Sequence, residues 1–200
     1  MSVGKDKSVK PGAMRLALLI GSTREGRFAD KVVRWAKDGI GRHPAFDLDV
    51  IDPRGFALPA HFPSGVHEGL EKIQRRLELA DAILVVTPEY NHSFPAALKQ
   101  VIDVTGEAWQ AKPAAFISYG GVSGGLRAVE QLRLVLAELH TVTLRKVVSF
   151  MNAWELFDEQ EGLLEPLRAE RSLKQQLDQL SWWARVLRLG RAQWPYLSVS

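Results

Sequence analysis

Short apolar runs and longer amphipathic segments alternate along this chain and predict its secondary structure. The runs at residues 15–20, 83–86 and 114–118 are almost continuously apolar, as is typical of strands covered on both faces. Residues 46–52 alternate apolar and polar positions, which predicts an edge strand, and residues 143–149 form a fifth strand. Helical patterns follow at residues 28–41, 66–79, 126–139 and 167–189, and one further helix begins near Ser93.

The order of these elements predicts an α/β fold. Strands that alternate with helices form parallel sheets with helices on both faces, and the five strands fit a flavodoxin-like doubly wound sheet with strand order 2-1-3-4-5. No repeat or linker interrupts the pattern, so we predict one domain over residues 14–190, with tails at residues 1–13 and 191–200. Residues 53–65, with three prolines and two glycines, predict a long loop, and residues 153–166 predict a polar one.

Composition narrows the class of protein. Two hundred residues, 46% of them hydrophobic, can bury one core, and no apolar run approaches the ~20 residues that span a bilayer. The absence of cysteine excludes disulfides, thiolate metal sites and cysteine nucleophiles, and it fits a cytoplasmic protein. The polar N-terminal segment predicts a flexible tail rather than a signal peptide. A net charge of +3 without a basic block gives no specific support for nucleic-acid binding, and the histidines lack metal-ligand spacing.

The turn after the third predicted strand is the most informative part of the chain. Pro88 has no N–H for a sheet ladder and ends the strand, while Ser93 is a good N-cap with Pro95 in the first helical turn. Residues 88–91, here the second loop, therefore lie at the carboxyl end of a central strand, where open α/β sheets bind ligands. The flat face of Tyr90 and the amide of Asn91 suit a planar heterocycle.

The turn after the first strand, residues 21–27, is here the first loop and predicts an anion site. The hydroxyls of Ser22 and Thr23, the side chains of Arg24 and Arg27, and the helix N-terminus at Phe28 together form a cradle that suits a phosphate. An ordinary strand-to-helix turn with solvated arginines is the alternative.

Two nucleotide-binding patterns fail in the first loop. Gly21 and Gly26 have P-loop spacing, but Arg27 stands where the lysine belongs and Phe28 replaces the Ser or Thr that holds Mg²⁺. The dinucleotide pattern fails as well, because Thr23 occupies the place of its second glycine. Hydrolysis of nucleoside triphosphates is therefore not predicted.

The turn after the fourth strand, residues 118–125, is here the third loop. It holds four glycines within six positions, which allow backbone to approach a ligand closely. An ordinary long turn is the alternative. Gly124, and His92 beside the second loop, are candidate substrate contacts, although His92 equally suits a turn residue that faces solvent. Glu89 either holds its turn or points to water.

The adjacent Trp182 and Trp183 stand in the last predicted helix. Neighbouring helical positions point in different directions, so we expect the two rings to diverge. One ring is then predicted to face the core and the other an interface or a neighbouring loop.

The motifs of the three loops together resemble those of the NADPH-dependent FMN reductase family, over about residues 15–149. The matching positions are Gly21, Ser22, Thr23, Arg24, Gly26 and Arg27 in the first loop; Pro88, Glu89, Tyr90, Asn91, Ser93, Pro95, Leu98, Lys99, Ile102 and Asp103 in the second loop and its helix; and Ser118, Tyr119, Gly120, Gly121, Gly124, Gly125 and Ala128 in the third. The departures include Arg27 and Ala29, where many relatives have serine and asparagine.

The resemblance implies a cofactor and its contacts. FMN would be bound, with Ser22, Arg24 and Arg27 at its phosphate. The positions implied along the isoalloxazine and its other edge are Pro88, Glu89, Tyr90 and Asn91, and then Ser118, Tyr119, Gly120 and Gly121. The implied partners are NADPH or NADH, a small-molecule acceptor and further copies in a homodimer or homotetramer. The loop at residues 53–65 and the helix from Ser93 are the candidate subunit contacts.

The implied activity is transfer of hydride from NAD(P)H through FMN to a quinone, flavin or azo acceptor by ping-pong kinetics. Such chemistry needs no catalytic side chain, because positioning and electrostatic tuning of the flavin suffice. The alternative is a flavodoxin-like electron carrier or flavin-binding module without NAD(P)H turnover. Such carriers usually dock through an acidic face, whereas this chain is net basic.

Overall fold

The computed structural model describes residues 12–61, 65, 67–158 and 162–196. Its sheet has five strands that are all parallel, in the order β2-β1-β3-β4-β5, which confirms the predicted flavodoxin-like topology. The strands are β1 (Met14–Ile20), β2 (Phe46–Ile51), β3 (Ala82–Pro88), β4 (Pro113–Gly120) and β5 (Val142–Met151). The apolar runs of β1, β3 and β4 are buried throughout because helices cover both faces of these central strands.

The helices divide the core into two layers. They are α1 (Ala29–Gly41), α2 (Glu68–Glu78), α3 (Ala96–Val104), α4 (Leu126–Glu138), α5 (Ala153–Leu156) and α6 (Pro166–Gln193). Leu16 and Leu18 point to the layer formed with α1 and α6, whereas Ala17 and Leu19 point to the layer formed with α2, α3 and α4. Within the described residues, every helix is too short or too polar to cross a membrane.

Strand register places the loops of the predicted site side by side. Ile20 at the end of β1 pairs with Val86 of β3, and the Gly21 N–H donates to the Val86 carbonyl at 2.8 Å. Pro88 at the end of β3 pairs with Tyr119 of β4. The three loops therefore leave the sheet from adjacent strands at one edge.

Several predicted boundaries differ from the observed ones. Ser93 is not the N-cap of α3, because that helix begins after Pro95 and the Ser93 hydroxyl donates instead to Gln131 Oε1 at 2.5 Å. The predicted loop at residues 153–166 contains the short helix α5, and α6 continues past residue 191, into the predicted tail. Nearly all of the predicted N-terminal tail lies outside the described residues.

The expectation that the two tryptophan rings diverge and that one faces the core is wrong. The rings of Trp182 and Trp183 meet edge to face, with centroids 5.0 Å apart, and their exposed fractions are 58% and 37%. The buried side of α6 is formed by Leu177, Leu180 and Ala184, so neither tryptophan faces the core. Rotation about the side-chain bonds brings the two neighbouring rings together.

Lys112, just before β4, is a buried cation at the edge of the sheet opposite the three loops. Its Nζ donates to the carbonyls of Leu77 and Glu78 at 2.5 and 2.8 Å, and thereby caps the end of α2. Burial, together with the nearby charge of Arg191, lowers the pKa of Lys112 from 10.5 to about 8. The unfolded chain therefore holds this proton more tightly than the folded protein does.

We expect Lys112 to make the protein more stable as the pH rises from about 8 to 10.5. In this window unfolding takes up a proton, and the full effect of the shift is at most about 3 kcal/mol. Lys112→Met removes the titrating group, so the difference in unfolding free energy between wild type and variant should grow with pH. Urea unfolding across the window measures this difference, and parallel pH profiles for the two proteins would contradict the assignment.

Candidate functional site

The three loops contact one another at the carboxyl edge of the sheet. Ser22 Oγ and Tyr90 OH share a hydrogen bond of 2.8 Å, and the Arg24 guanidinium carbon lies 3.6 Å from the centre of the Tyr90 ring. Between the second and third loops, the Glu89 N–H donates to the Tyr119 carbonyl at 3.1 Å. The predicted convergence of the three loops is therefore confirmed.

The first loop presents backbone donors at the start of α1. Among the described residues, no side chain caps this helix. Within the described part of the chain, the N–H groups of Thr23, Glu25, Gly26 and Phe28 donate to no protein acceptor. Donors of this kind at a helix N-terminus attract anions, because the helix dipole adds to their partial positive charge. The loop thus has the donor set of an anion site.

Arg27 does not extend into this cradle, contrary to the expectation that it contacts a phosphate. Its side chain is only 3% exposed and forms a two-pronged ion pair with Asp52 at 2.5 and 2.8 Å. It also bonds to Asp30 at 2.9 Å and to the Ser22 carbonyl at 2.5 Å. Arg27 therefore holds the first loop in shape from below.

The Arg27–Asp52 pair is ionised over a wide pH range. The hydrogen bond to Asp52 raises the pKa of Arg27 further above its usual value, against the effect of burial. For Asp52, burial alone would raise the pKa, but hydrogen bonds from Arg27 and the Arg54 N–H bring it below the usual range. Arg27 and Asp52 neutralise each other within the protein. The exposed cation of the first loop is therefore Arg24.

The predicted contacts Ser22 and Phe28 also have structural partners. Ser22 is fully buried, with its hydroxyl bonded to Tyr90. The Phe28 ring packs against the rings of Tyr119 and Phe157 at 5.7 and 5.5 Å. Both side chains shape the loop, whose exposed residues are Arg24, Glu25 and Gly26.

The second loop is a tight turn that projects its tip into solvent. Tyr90 and Ser93 exchange backbone hydrogen bonds of 2.8 and 3.0 Å, and the two residues between them have left-handed φ angles, 49° for Asn91 and 71° for His92. Both tip residues are exposed. One face of the Tyr90 ring, predicted to be open to a ligand, lies under Arg24.

Glu89 ties the second loop to the third. Its carboxylate accepts hydrogen bonds from the Ser123 hydroxyl at 2.5 Å and from the N–H and Nη1 of Arg127 at 3.2 and 3.1 Å. Burial would raise the pKa of Glu89, but these hydrogen bonds hold it below its usual range. Of the two predicted roles, Glu89 therefore has the structural one, holding its turn.

The third loop buries one part and exposes another. Ser118 and Ser149 both donate to the Gly124 carbonyl at 2.8 Å, so Ser118 and Gly124, predicted to contact ligands, lie in the packed base of the loop. The Tyr119 ring is also buried, and burial, with the nearby Tyr90 phenol, raises the pKa of its hydroxyl. The partly exposed backbone of residues 120 and 121 remains as a wall without side chains.

Sequence patterns did not indicate several residues that shape the site. Asp52 stands at the end of β2, and Ser123 and Arg127 belong to the third loop and the first turn of α4. Trp154 on α5 borders the site: its Cη2 lies 3.6 Å from the point where a Cβ on Gly121 would stand. No local signal marks these residues, since each acts through a partner distant in sequence.

Comparison with known proteins shows the family. The profile of the NADPH-dependent FMN reductase family matches residues 14–155. An NAD(P)H-dependent FMN reductase of Pseudomonas aeruginosa is 32% identical over 177 residues, which cover 84% of this chain and 94% of the relative. An NADPH:quinone oxidoreductase of Arabidopsis thaliana is 33% identical over 196 residues, which cover 91% and 96%.

A solved structure supports the fold. The flavoenzyme NAD(P)H:(acceptor) oxidoreductase FerB of Paracoccus denitrificans superposes with a TM-score of 0.70 at 22% identity, covering 86% of this chain and 98% of that one. Its fold agrees with the sheet order described above. The family profile and these relatives show that the chain belongs to the NADPH-dependent FMN reductase family.

Proposed function

We propose that this enzyme transfers hydride from NADPH or NADH to FMN held by the three loops, and that a quinone, flavin or azo compound then takes up the electrons. As a member of its family, the protein uses FMN and a reduced nicotinamide. The observation that carries the proposed site is the convergence of an anion cradle, a polar-aromatic turn and a glycine wall at one edge of the sheet.

The residues present fit FMN. A phosphate monoester carries a charge near −2 at neutral pH, and it is matched by the first-loop N–H groups together with Arg24. The backbone of Gly120 and Gly121 lets a planar ring approach closely, because a side chain at either position would intrude. The second loop offers the backbone and amide of Asn91 to the polar edge of such a ring.

The protein's own contribution is to position the reactants. When bound, FMN supplies the hydride and electron chemistry. Glu89 fixes the second loop to the third through its ion pair with Arg127, and Arg27 fixes the first loop to the end of β2 through its ion pair with Asp52. Neither group is available as a catalytic acid or base, because each is held in its charged form. Hydride transfer between a nicotinamide and FMN needs positioning and electrostatic tuning rather than a proton-transferring side chain.

The proposed reaction is tested by colour and kinetics. NADPH added without oxygen should bleach the flavin absorbance of the purified protein, and a quinone should restore it. Initial rates at several quinone concentrations should give parallel double-reciprocal lines, as expected when the nicotinamide leaves before the acceptor binds. A flavin that NADPH fails to bleach would favour an electron carrier, and intersecting lines would exclude the ping-pong order.

Arg24→Ala is expected to weaken FMN binding by about 1.5–3 kcal/mol, typical of a hydrogen bond to a charged group. Arg24→Lys keeps the charge without the planar fork and should lose less. Arg185→Ala removes an exposed arginine on the far half of α6 and serves as the control. Fluorescence titration of each apoprotein with FMN measures the dissociation constants, and equal affinities for wild type and Arg24→Ala would remove the phosphate assignment.

The proposed assembly is a homodimer or homotetramer in which α3 contributes to the interface. Leu134 on α4 is 76% exposed beside Phe94, which precedes α3, and these residues line a cavity of about 580 Å³ that also includes Lys99 and Gln131. An exposed apolar side chain at the rim of such a groove is typical of subunit contacts. Light scattering of the purified holoprotein measures the mass, and a monomer would exclude the assembly.

A further inference from the structure

Trp154 is a large exposed side chain at the rim of the proposed flavin site. It lies on α5, directly after β5, and 60% of its surface is exposed. Its Cη2 is 3.6 Å from the point where a Cβ on Gly121 would stand, so the indole borders the glycine wall. Among the described residues its indole N–H has no hydrogen-bond partner. Packing does not explain an indole in this position, because most of the ring lies outside the core.

The backbone beneath Trp154 is fixed. The Asn152 N–H donates to the Gly121 carbonyl at 3.0 Å and so joins the start of α5 to the third loop. Ala153 is 1% exposed, and Phe157 at the end of this segment is 5% exposed and packs against the Phe28 and Phe150 rings. The indole therefore projects from an anchored segment beside the third loop.

The described side chains around Trp154 at the rim are mostly apolar. Met151 on the same side is 57% exposed, and Val122 at the tip of the third loop is 78% exposed. Residues 149–157 contain one charged side chain, the acidic Glu155. Arg127 in the first turn of α4 is bound to Glu89 at 3.1 Å. Such a rim favours a neutral planar molecule, which can stack on the indole.

We propose that Trp154 selects the electron acceptor by stacking its indole on a neutral quinone ring. This inference rests on the proposed function of the three-loop site. During reduction the quinone receives two electrons and one proton as hydride from the reduced cofactor and a second proton from water, and it leaves as the hydroquinone. Trp154 takes no part in the transfer; it orients the quinone ring, so it is a specificity residue.

The test compares Trp154→Ala and Trp154→Phe with wild type, all as holoprotein. Titration of 1,4-naphthoquinone onto the oxidised holoprotein, followed by calorimetry, measures binding without electron transfer because both partners are oxidised. We expect Trp154→Ala to bind the quinone about tenfold more weakly, and Trp154→Phe to stay within about threefold of wild type because it retains a stacking ring. The absence of cysteine prevents thiol addition to the quinone.

A second readout uses an anionic acceptor as an internal reference. Ferricyanide accepts single electrons and has no ring to stack, so the ratio of kcat/KM for naphthoquinone to that for ferricyanide should fall about tenfold in Trp154→Ala. FMN absorbance of each variant shows that it is folded and loaded.

Three results would overturn the inference. They are undiminished quinone binding by Trp154→Ala, an equal loss of rate with both acceptors, and a change in the mass of the assembly that accompanies the loss, which would make Trp154 an interface residue. Failure of the proposed function would give a different result: the wild-type protein would retain no FMN, or NADPH would not bleach the bound flavin. The two failures are therefore distinguishable in the same preparations.

Discussion

Replacing Arg27 by methionine should lower the free energy of unfolding by about 2–4 kcal/mol, because it leaves the carboxylate of Asp52 without its partner. The expected loss is somewhat below that of a fully buried pair, since the Asp52 side chain is 36% exposed. The same change removes the donor to the Ser22 carbonyl, which shapes the first loop. We therefore expect FMN binding to weaken as well, although Arg27 does not extend into the anion cradle.

Two variants separate this effect from a simple change of charge. Arg42→Met breaks an exposed pair with Glu170, in which the side chains are 64% and 41% exposed, and should cost less than about 1 kcal/mol. Arg27→Lys keeps the charge but cannot form the two-pronged pair, so it should be intermediate. Urea unfolding and FMN titration are the measurements. An Arg27→Met protein that matches Arg42→Met in stability and binds FMN like wild type would contradict the role assigned to Arg27.

Gly125→Ala should destabilise the protein by about 2–4 kcal/mol, through strain of the left-handed backbone and through overlap with neighbouring atoms. Gly125 has a φ of +81°, and a Cβ there would stand 2.8 Å from the Tyr119 nitrogen and 2.9 Å from the Tyr119 oxygen. Both are backbone atoms of β4, so the third loop must shift instead. Because Glu89 binds Ser123 in this loop, the shift should also reduce FMN retention.

Gly12→Ala is the matched control for this prediction. Gly12 has a similar φ of +76°, but no described residue lies within 4 Å of its Cβ position, so the variant should show only the strain, about 1 kcal/mol. Thermal or urea unfolding of both variants, with FMN content by absorbance, gives the comparison. Equal losses in the two proteins would mean that crowding against β4 contributes nothing.

The convergence of the loops could be predicted because it follows from strand order. Tyr90 and Arg24 belong to loops that leave strands with apolar runs, and parallel strands end at the same edge of a sheet. The roles of individual side chains were harder to predict from the sequence. The sequence pattern predicts that Arg27 contacts a phosphate beside Arg24. Its actual partner, Asp52, lies 25 residues further along the chain at the end of β2. Only the packing of β2 beside β1 brings the two together.

The same limit applies to Glu89 and to Ser93. Glu89 pairs with Arg127 in the first turn of α4, which is 38 residues further along the chain. No local sequence pattern distinguishes this ion pair from a solvated carboxylate. Ser93 is a residue type that often caps helices, but its hydroxyl donates a hydrogen bond to Gln131 on α4 instead. Local propensity is a weak guide wherever a neighbouring element offers a competing hydrogen bond.

The amino-acid sequence alone determined the sheet, the edge that carries the site and the three loops that form it, because burial periodicity and turn residues act over short distances along the chain. The tertiary structure alone decided which side chains support those loops and which remain exposed for a ligand. Arg27 and Glu89 hold the loops through ion pairs, whereas Arg24 and Trp154 are exposed. The physical reason is that the free energy of a charged or aromatic side chain depends on its spatial neighbours, and these come from distant segments.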